Sequence, residues 1–306
     1  MLEMLRTELH CHNVYSNGHV GDLEPPFDCN VSISEQLEKS LESNLDVLFV
    51  TNHNTLDGFN QITNYKNDHE KFSNLKIFPA EEITTDKEAH VLVYGLHEEI
   101  KSNQTLDEII DAAKSQDAIT IAPHPFSLID ALRDDSLKCD LFEVFNSSNI
   151  DIYSNKKAEI FAKEKNLLTT AGSDSHIAST IGRCTNLIDS QNNLDDVIHA
   201  MKKGKISIEK TEYVTHREVL EHIQYKIENS KEYIDQYIQE FYPKYFWLFN
   251  QMYKSYMFTK KSFVWRAVFK IALFGLRRIS YKINFEGYDP YAFRTRDIPT
   301  MTKMIF

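Results

Sequence analysis

His10 and His12 stand two residues apart in the stretch Thr7 to Gly18, at the end of an apolar run. On a strand, residues two apart point to one face, so both imidazoles could reach one metal ion while Cys11 faces the other way. Four later segments repeat the pattern, an apolar run of strand length closed by a residue able to bind a metal. They end at His53, at Glu82, at His124, and at Asp174 with His176; His90 opens a further apolar run. A single histidine is usually an ordinary hydrogen-bonded residue, but so many at strand ends point to a metal site. The donors are nitrogen and oxygen, a set that suits Zn, Mn or Fe. Eight donors oversupply one ion, so two or three divalent ions sharing Glu82 or Asp174 as bridges is the economical account. Ions packed in this way acidify a shared water and clamp the attacking and leaving oxygens of a phosphoryl group, which is hydrolytic chemistry. No competing motif is present: glycine is nine of 306 residues, and neither a glycine-rich phosphate loop nor G-x-S-x-G occurs.

The elements that must position these residues alternate. Strands are expected over 7–12, 46–51, 75–84, 90–96, 118–124, 140–146, 167–173 and 205–209, with helical patterns between them. Ser32 with Glu35 and Thr105 with Glu108 form capping-box sequences, Asn193 caps a last helix that stops at Gly204, and Asp57 caps the helix after the second strand. Alternation implies a mostly parallel sheet, and about seven such units imply a barrel. Chemistry in a barrel sits at the C-terminal strand ends, where His10, His12, His53, Glu82, His124, Asp174 and His176 all fall.

The ordered set H-x-H (His10, His12), T-x-H (Thr51, His53), Glu82, His90, H-P (His124, Pro125) and S-D-S-H (Ser173 to His176) resembles the PHP family, named for polymerase and histidinol phosphatase domains. The resemblance covers about residues 5 to 210. It implies an α/β fold, a distorted (β/α)7 barrel, with a trinuclear metal site and phosphoesterase activity. It implies that His10, His12, His53, Glu82, His90, His124, Asp174 and His176 are metal ligands. Three places depart from the family pattern. Asn17 stands where S-D-G often supplies a ligand aspartate, with His19 as a substitute donor; Asn52 and Asn54 replace the two aspartates of T-D-H-D. These losses of charge would weaken one metal position. Gly182 and Arg183 resemble a G-R pair of the family, and Arg183 could hold a substrate phosphate through two parallel hydrogen bonds or form a salt bridge at the rim. Asn146, Ser147 and Ser148 end a strand at the same mouth, and Glu143 lies in the barrel wall.

The net charge of −11 is unevenly spread, with +8 in residues 251–306 and −19 over residues 1–250. Residues 1–210 are expected to form the barrel and residues 211–306 a helical, aromatic-rich and basic extension. A helix from residue 216 breaks at Pro243, and residues 262–283 form a basic amphipathic helix with Arg266, Lys270 and Arg277 on one side. Its apolar face packs on the barrel or another subunit, or lies on an anionic membrane as a peripheral contact; its basic side could also meet nucleic acid. Four irregularly spaced cysteines, no signal peptide and no apolar run near the roughly 20 residues that span a bilayer are expected of a cytoplasmic protein. The expectation is a metal-dependent phosphoesterase in which a metal-bridging hydroxide attacks a small phosphomonoester or nucleotide. The alternatives are a phosphodiesterase or nuclease on short nucleic acid, and a metal-degenerate, non-catalytic binding module. Oligomeric state is not readable from these patterns.

Overall fold

The computed structural model describes residues 3–20, 25–260 and 262–306. Its strands are β1 (Glu3–Glu8), β2 (Val47–Val50), β3 (Lys76–Thr84), β4 (His90–Tyr94), β5 (Ile119–Ala122), β6 (Leu141–Asn146), β7 (Thr169–Gly172), β8 (Thr185–Ser190) and β9 (Ile206–Lys210). They form one curved sheet in the order β7-β6-β5-β4-β3-β2-β1-β8-β9. Helices α1 (Ile33–Glu42), α2 (Asp57–Asn67), α3 (Leu106–Ser115), α4 (Tyr153–Lys165) and α5 (Leu194–Lys202) cover it.

Strand alternation sorts the side chains into layers. Phe78 and Ala80 of β3, Leu92 and Tyr94 of β4, and Ile119 and Ile121 of β5 share one core cluster with Leu5, Val47 and Phe49. Two residues further along the same faces stand Glu82 and His90, so the metal-binding types sit one layer above an apolar floor. The opposite strand faces pack under α3 and α4 on one side and around Leu37 and Ile62 of α1 and α2 on the other. Each fully buried Leu, Ile or Phe there contributes roughly 1.5–3 kcal/mol. The capping boxes at Ser32 and Thr105 both form, and Asn193 accepts the Asp196 N–H at 3.0 Å. Asp57 does not cap α2. It is the first helical residue, after Leu56, where its charge suits the helix N-terminus.

The sheet closes at its mouth. Beyond β1 the chain runs on beside the segment after β7: the Asp174 N–H donates to the His10 carbonyl at 2.7 Å and the His12 N–H to the Ser175 carbonyl at 3.0 Å. Lower down, the Asn186 side chain on β8 stitches the seam, accepting from the Ala171 N–H at 3.0 Å and donating to the Ala171 carbonyl at 2.8 Å.

Three features differ from simple alternation. β4 is antiparallel to both β3 and β5, so the β3–β4 connection is a hairpin and not a helical crossover. β8, which is not among the expected strands, pairs antiparallel with β1 and with β9. The first histidine pair lies past the end of β1, on extended backbone held by Thr51, whose hydroxyl accepts from the Cys11 N–H and whose N–H donates to the Cys11 carbonyl, each at 3.0 Å. All four cysteines are unpaired.

The C-terminal helices are α6 (His216–Asn229), α7 (Lys231–Phe241), α8 (Phe246–Thr259), α9 (Phe263–Glu286), α10 (Tyr291–Arg294) and α11 (Ile298–Ile305). The expected break at Pro243 separates α7 from α8. α9 packs on the barrel through Ile279 and Ile283, which join Leu128, Ala292 and Met304 in one cluster. Polar ties fix it there: Ser280 donates to Asp151 at 2.5 Å and Asn284 to the Phe126 carbonyl at 3.3 Å. The outer side keeps Phe263, Ile271 and Phe274 exposed. Among the described residues, no helix is long and apolar enough to cross a membrane.

Candidate metal centre

His10 and His12 flank Cys11, which is buried against the core with Cys29 and Leu37 while the two imidazoles turn into the mouth. His10 Nε2 lies 3.3 Å from Glu82 Oε2 and 3.5 Å from Asp174 Oδ1; His12 Nε2 lies 3.2 and 3.4 Å from the same two oxygens. Four donors from three strand ends therefore surround one point. Glu82 faces two ways, since its Oε2 is also 3.3 Å from His53 Nδ1 while its Oε1 is 3.0 Å from His90 Nδ1 and 3.1 Å from His124 Nε2. All eight residues singled out in the sequence meet in this cluster. Asp130 joins them, at 3.4 Å from His124 Nδ1.

A further carboxylate comes from outside the sequence pattern. Asp28 Oδ2 is 2.7 Å from His176 Nε2 and 3.5 Å from His53 Nε2. Asn17 is what puts it there: the amide oxygen accepts the N–H groups of Asp28 at 2.7 Å and Cys29 at 2.9 Å, and its nitrogen donates to the Cys29 carbonyl at 2.9 Å. Asn17 thus clamps the loop that delivers Asp28, so this position keeps its carboxylate. His19 is not the substitute donor. Its ring is exposed, and its carbonyl accepts from Asn54 Nδ2 at 2.6 Å. Asn52 is structural too, accepting from the Asn13 N–H at 2.9 Å. Gly58 must lack a side chain beside this pair, because a Cβ would stand 2.1 Å from Asn52 Nδ2.

A layer beneath holds the ligand-type side chains in orientation. Glu143 Oε1 accepts from His10 Nδ1 at 3.0 Å, leaving Nε2 as the inward donor atom; its Oε2 accepts the His124 N–H at 2.7 Å and Asn146 Nδ2 at 2.9 Å. His12 Nδ1 meets Ser16 Oγ at 3.1 Å, and His176 Nδ1 meets the Asp174 carbonyl at 3.0 Å. Asn146 and Ser148 both bond to Asp174. His124 (φ 29°) and Asp174 (φ 50°) adopt left-handed backbone, a strain that persists where surrounding contacts demand it.

Burial disfavours charge on every group here, yet His90, His10 and His53 hold the Glu82 carboxyl well below its usual range, and His10 and His12 do the same for Asp174. Burial lowers His53 to about 4, whereas Asp130 and Glu82 overcome burial and raise His124 to about 10. His12 Nε2, His53 Nδ1 and His124 Nδ1 are buried without a well-aligned hydrogen bond. Orphaned lone pairs from several strands, converging within 4.8 Å of one another in overlapping groups, fit divalent ions.

The extension reaches this centre. His222 of α6 donates to the Asp28 carbonyl at 2.7 Å and stacks on His176, and Lys226 Nζ lies 2.7 Å from Asp28 Oδ1. Leu276 of α9 and Phe293 of α10 line the cavity of about 380 Å³ above the cluster. Arg183 does not line it. Its guanidinium pairs with Glu212, and with Glu218 of α6 at 2.5 Å, so the phosphate-holding geometry expected of it gives way to the salt-bridge alternative.

A family model described as PHP-associated matches residues 153–206, the stretch that carries Asp174 and His176. Uncharacterized protein MJ1587 of Methanocaldococcus jannaschii is 30% identical over 151 residues, 48% of this chain and 85% of the relative. The chain belongs to the PHP family. Among its relatives, uncharacterized protein MJ0417 of the same organism is 33% identical over 126 residues, 38% of this chain, and the match spans about half (53%) of that relative's length. PsfC from Pseudomonas syringae PB-5123 shares the fold, with a TM-score of 0.52 at 18% identity over 73% of this chain and 98% of PsfC. The PHP-associated match stops before α6, so His222 and Lys226 are features of this chain that the family pattern did not foretell.

Proposed function

We propose that this protein hydrolyses a small phosphomonoester, including a nucleotide monophosphate group, at a centre of two or three divalent ions. His10, His12, Glu82 and Asp174 would hold one ion; Glu82, His90 and His124 with Asp130, a second; and Asp28 with His53 and His176 offers a third position. Zn, Mn and Fe suit this nitrogen and oxygen set. When bound, such ions supply a nucleophile at neutral pH and neutralise phosphate charge. Within the chain, Glu143, Ser16 and the Asp174 carbonyl fix the imidazole tautomers and ring planes. Ile150, Leu276 and Phe293 give the cavity above the cluster an apolar part of its lining. Asp28 stands in for the charge absent at Asn17, which favours a loaded centre over a degenerate, non-catalytic one.

The observation that carries the small-substrate reading is the cavity itself. It holds about 380 Å³ and is walled by the C-terminal helices, the size of a small-molecule pocket. Its lining includes Asp28, Glu82, Glu88, Asp130, Asp151 and Asp174 against a single Lys and no Arg among the described residues. That is the opposite of a groove that tracks a nucleic-acid backbone. The test is turnover of a phosphomonoester, a phosphodiester and a short oligonucleotide by Mn- and Zn-loaded protein, beside Asp174→Asn. Monoester turnover that falls by about a thousandfold or more in the variant is expected. Loaded protein that cleaves none of the three, or that prefers the oligonucleotide, would overturn the proposal.

A further inference from the structure

Asp28 has a cation beside it already. Lys226 Nζ stands 2.7 Å from Asp28 Oδ1, and the helix that carries it is fixed to the barrel at several points. Glu218 pairs with Arg183 at 2.5 Å, His222 donates to the Asp28 carbonyl at 2.7 Å, and the Tyr225 hydroxyl accepts from Asn17 Nδ2 at 3.1 Å. Asn17 therefore holds both sides of the pair, the loop bearing Asp28 and the helix bearing Lys226. An ammonium delivered so rigidly to a buried carboxylate is a built-in counter-ion.

We infer that Lys226 stands in for the third cation of this centre, so that the protein holds two ions tightly and a third far more weakly. The inference rests on the metal-centre reading above and deepens it. Its argument is competition for one carboxylate. A third divalent ion held by Asp28 with His53 and His176 would share Asp28 with the ammonium, oxygen against oxygen of one carboxylate, and like charges so close in a buried pocket disfavour each other. Among the described residues, His10, His12, His90 and His124 pair with carboxylates of the barrel and with no cation of α6.

The experiment is calorimetric titration of metal-free, full-length protein with Mn²⁺, with bound metal counted by elemental analysis after gel filtration. Wild type should retain two ions, with a third binding at least tenfold more weakly. Lys226→Met and Lys226→Gln should each bind the third ion at least tenfold more tightly than wild type does, and Lys226→Arg should behave as wild type. Equal third-ion affinity in wild type and both neutral variants, whether all strong or all weak, would overturn the inference while leaving a loaded phosphoesterase centre intact. Wild type that retains no ion would instead refute the metal centre itself, so the two failures are distinct.

Discussion

Glu143→Gln changes one atom beneath the cluster, and its consequence can be worked through. Glu143 Oε2 accepts two donors, the His124 N–H at 2.7 Å and Asn146 Nδ2 at 2.9 Å, so the amide oxygen of glutamine must stay on that side. Its NH₂ group then faces His10 Nδ1, which now accepts, where the carboxylate Oε1 took a proton at 3.0 Å. The proton of the neutral ring moves to Nε2, the atom that lies 3.3 Å from Glu82 and 3.5 Å from Asp174 and would bind the ion. Loss of such an orienting partner typically costs 10–100-fold in metal affinity, or about 1.4–2.8 kcal/mol. Chelator competition with Mn²⁺ or Zn²⁺ should therefore show one of the tight sites weakened by that factor, with kcat falling at limiting metal and recovering in part at saturation. The denaturation midpoint in EDTA separates this from misfolding. Affinity within twofold of wild type, in a variant that folds normally, would refute the tautomer argument.

Other perturbations probe the frame. Gly58→Ala forces a methyl group to within 2.1 Å of Asn52 Nδ2 and should cost about 1–3 kcal/mol in urea denaturation, read at fixed metal concentration. Arg183→Ala removes the ion-pair partner of Glu218, which keeps its bonds from Ser179 and Thr215, and should cost about 1 kcal/mol while making α6 sensitive to limited proteolysis; a large rise in KM with unchanged stability would restore the phosphate-holding role. Saturating Mn²⁺ at about 100 times Kd should stabilise the chain by roughly 2.7 kcal/mol per tight site over the EDTA-treated protein, and an unchanged melting temperature would argue against ion binding by the folded state.

Most of the centre was legible because it obeys a rule of position: an apolar strand ending in a metal-binding side chain. His53, Glu82 and His124 carry that signal in full, and the fold follows from repeating it. Asp28 carries none of it, since it lies in a loop after two prolines where no periodicity marks direction. His222 and Lys226 sit in a helical pattern in which a histidine and a lysine four residues apart look like any solvated face. Glu143 was rightly placed in the barrel wall, but its bond to His10 depends on a register between β6 and the chain beyond β1 that spacing does not encode. β8 is absent from the expected strands because only Leu187 and Ile188 of its six residues are apolar, although burial of Asn186 is what closes the seam. The polar residues that build closure and orientation are chosen by distant partners, and so leave little trace in local pattern.

The position of α6 also sets an order of assembly. A chain emerges from the ribosome N-terminus first, and domains tend to fold as they appear. His10 through His176 leave the exit well before Lys226, so the nascent barrel presents its carboxylates with Asp28 still lacking its ammonium. On the inference drawn above, a cation that reached Asp28 during synthesis would be held less tightly once α6 docks and brings Lys226 against that carboxylate.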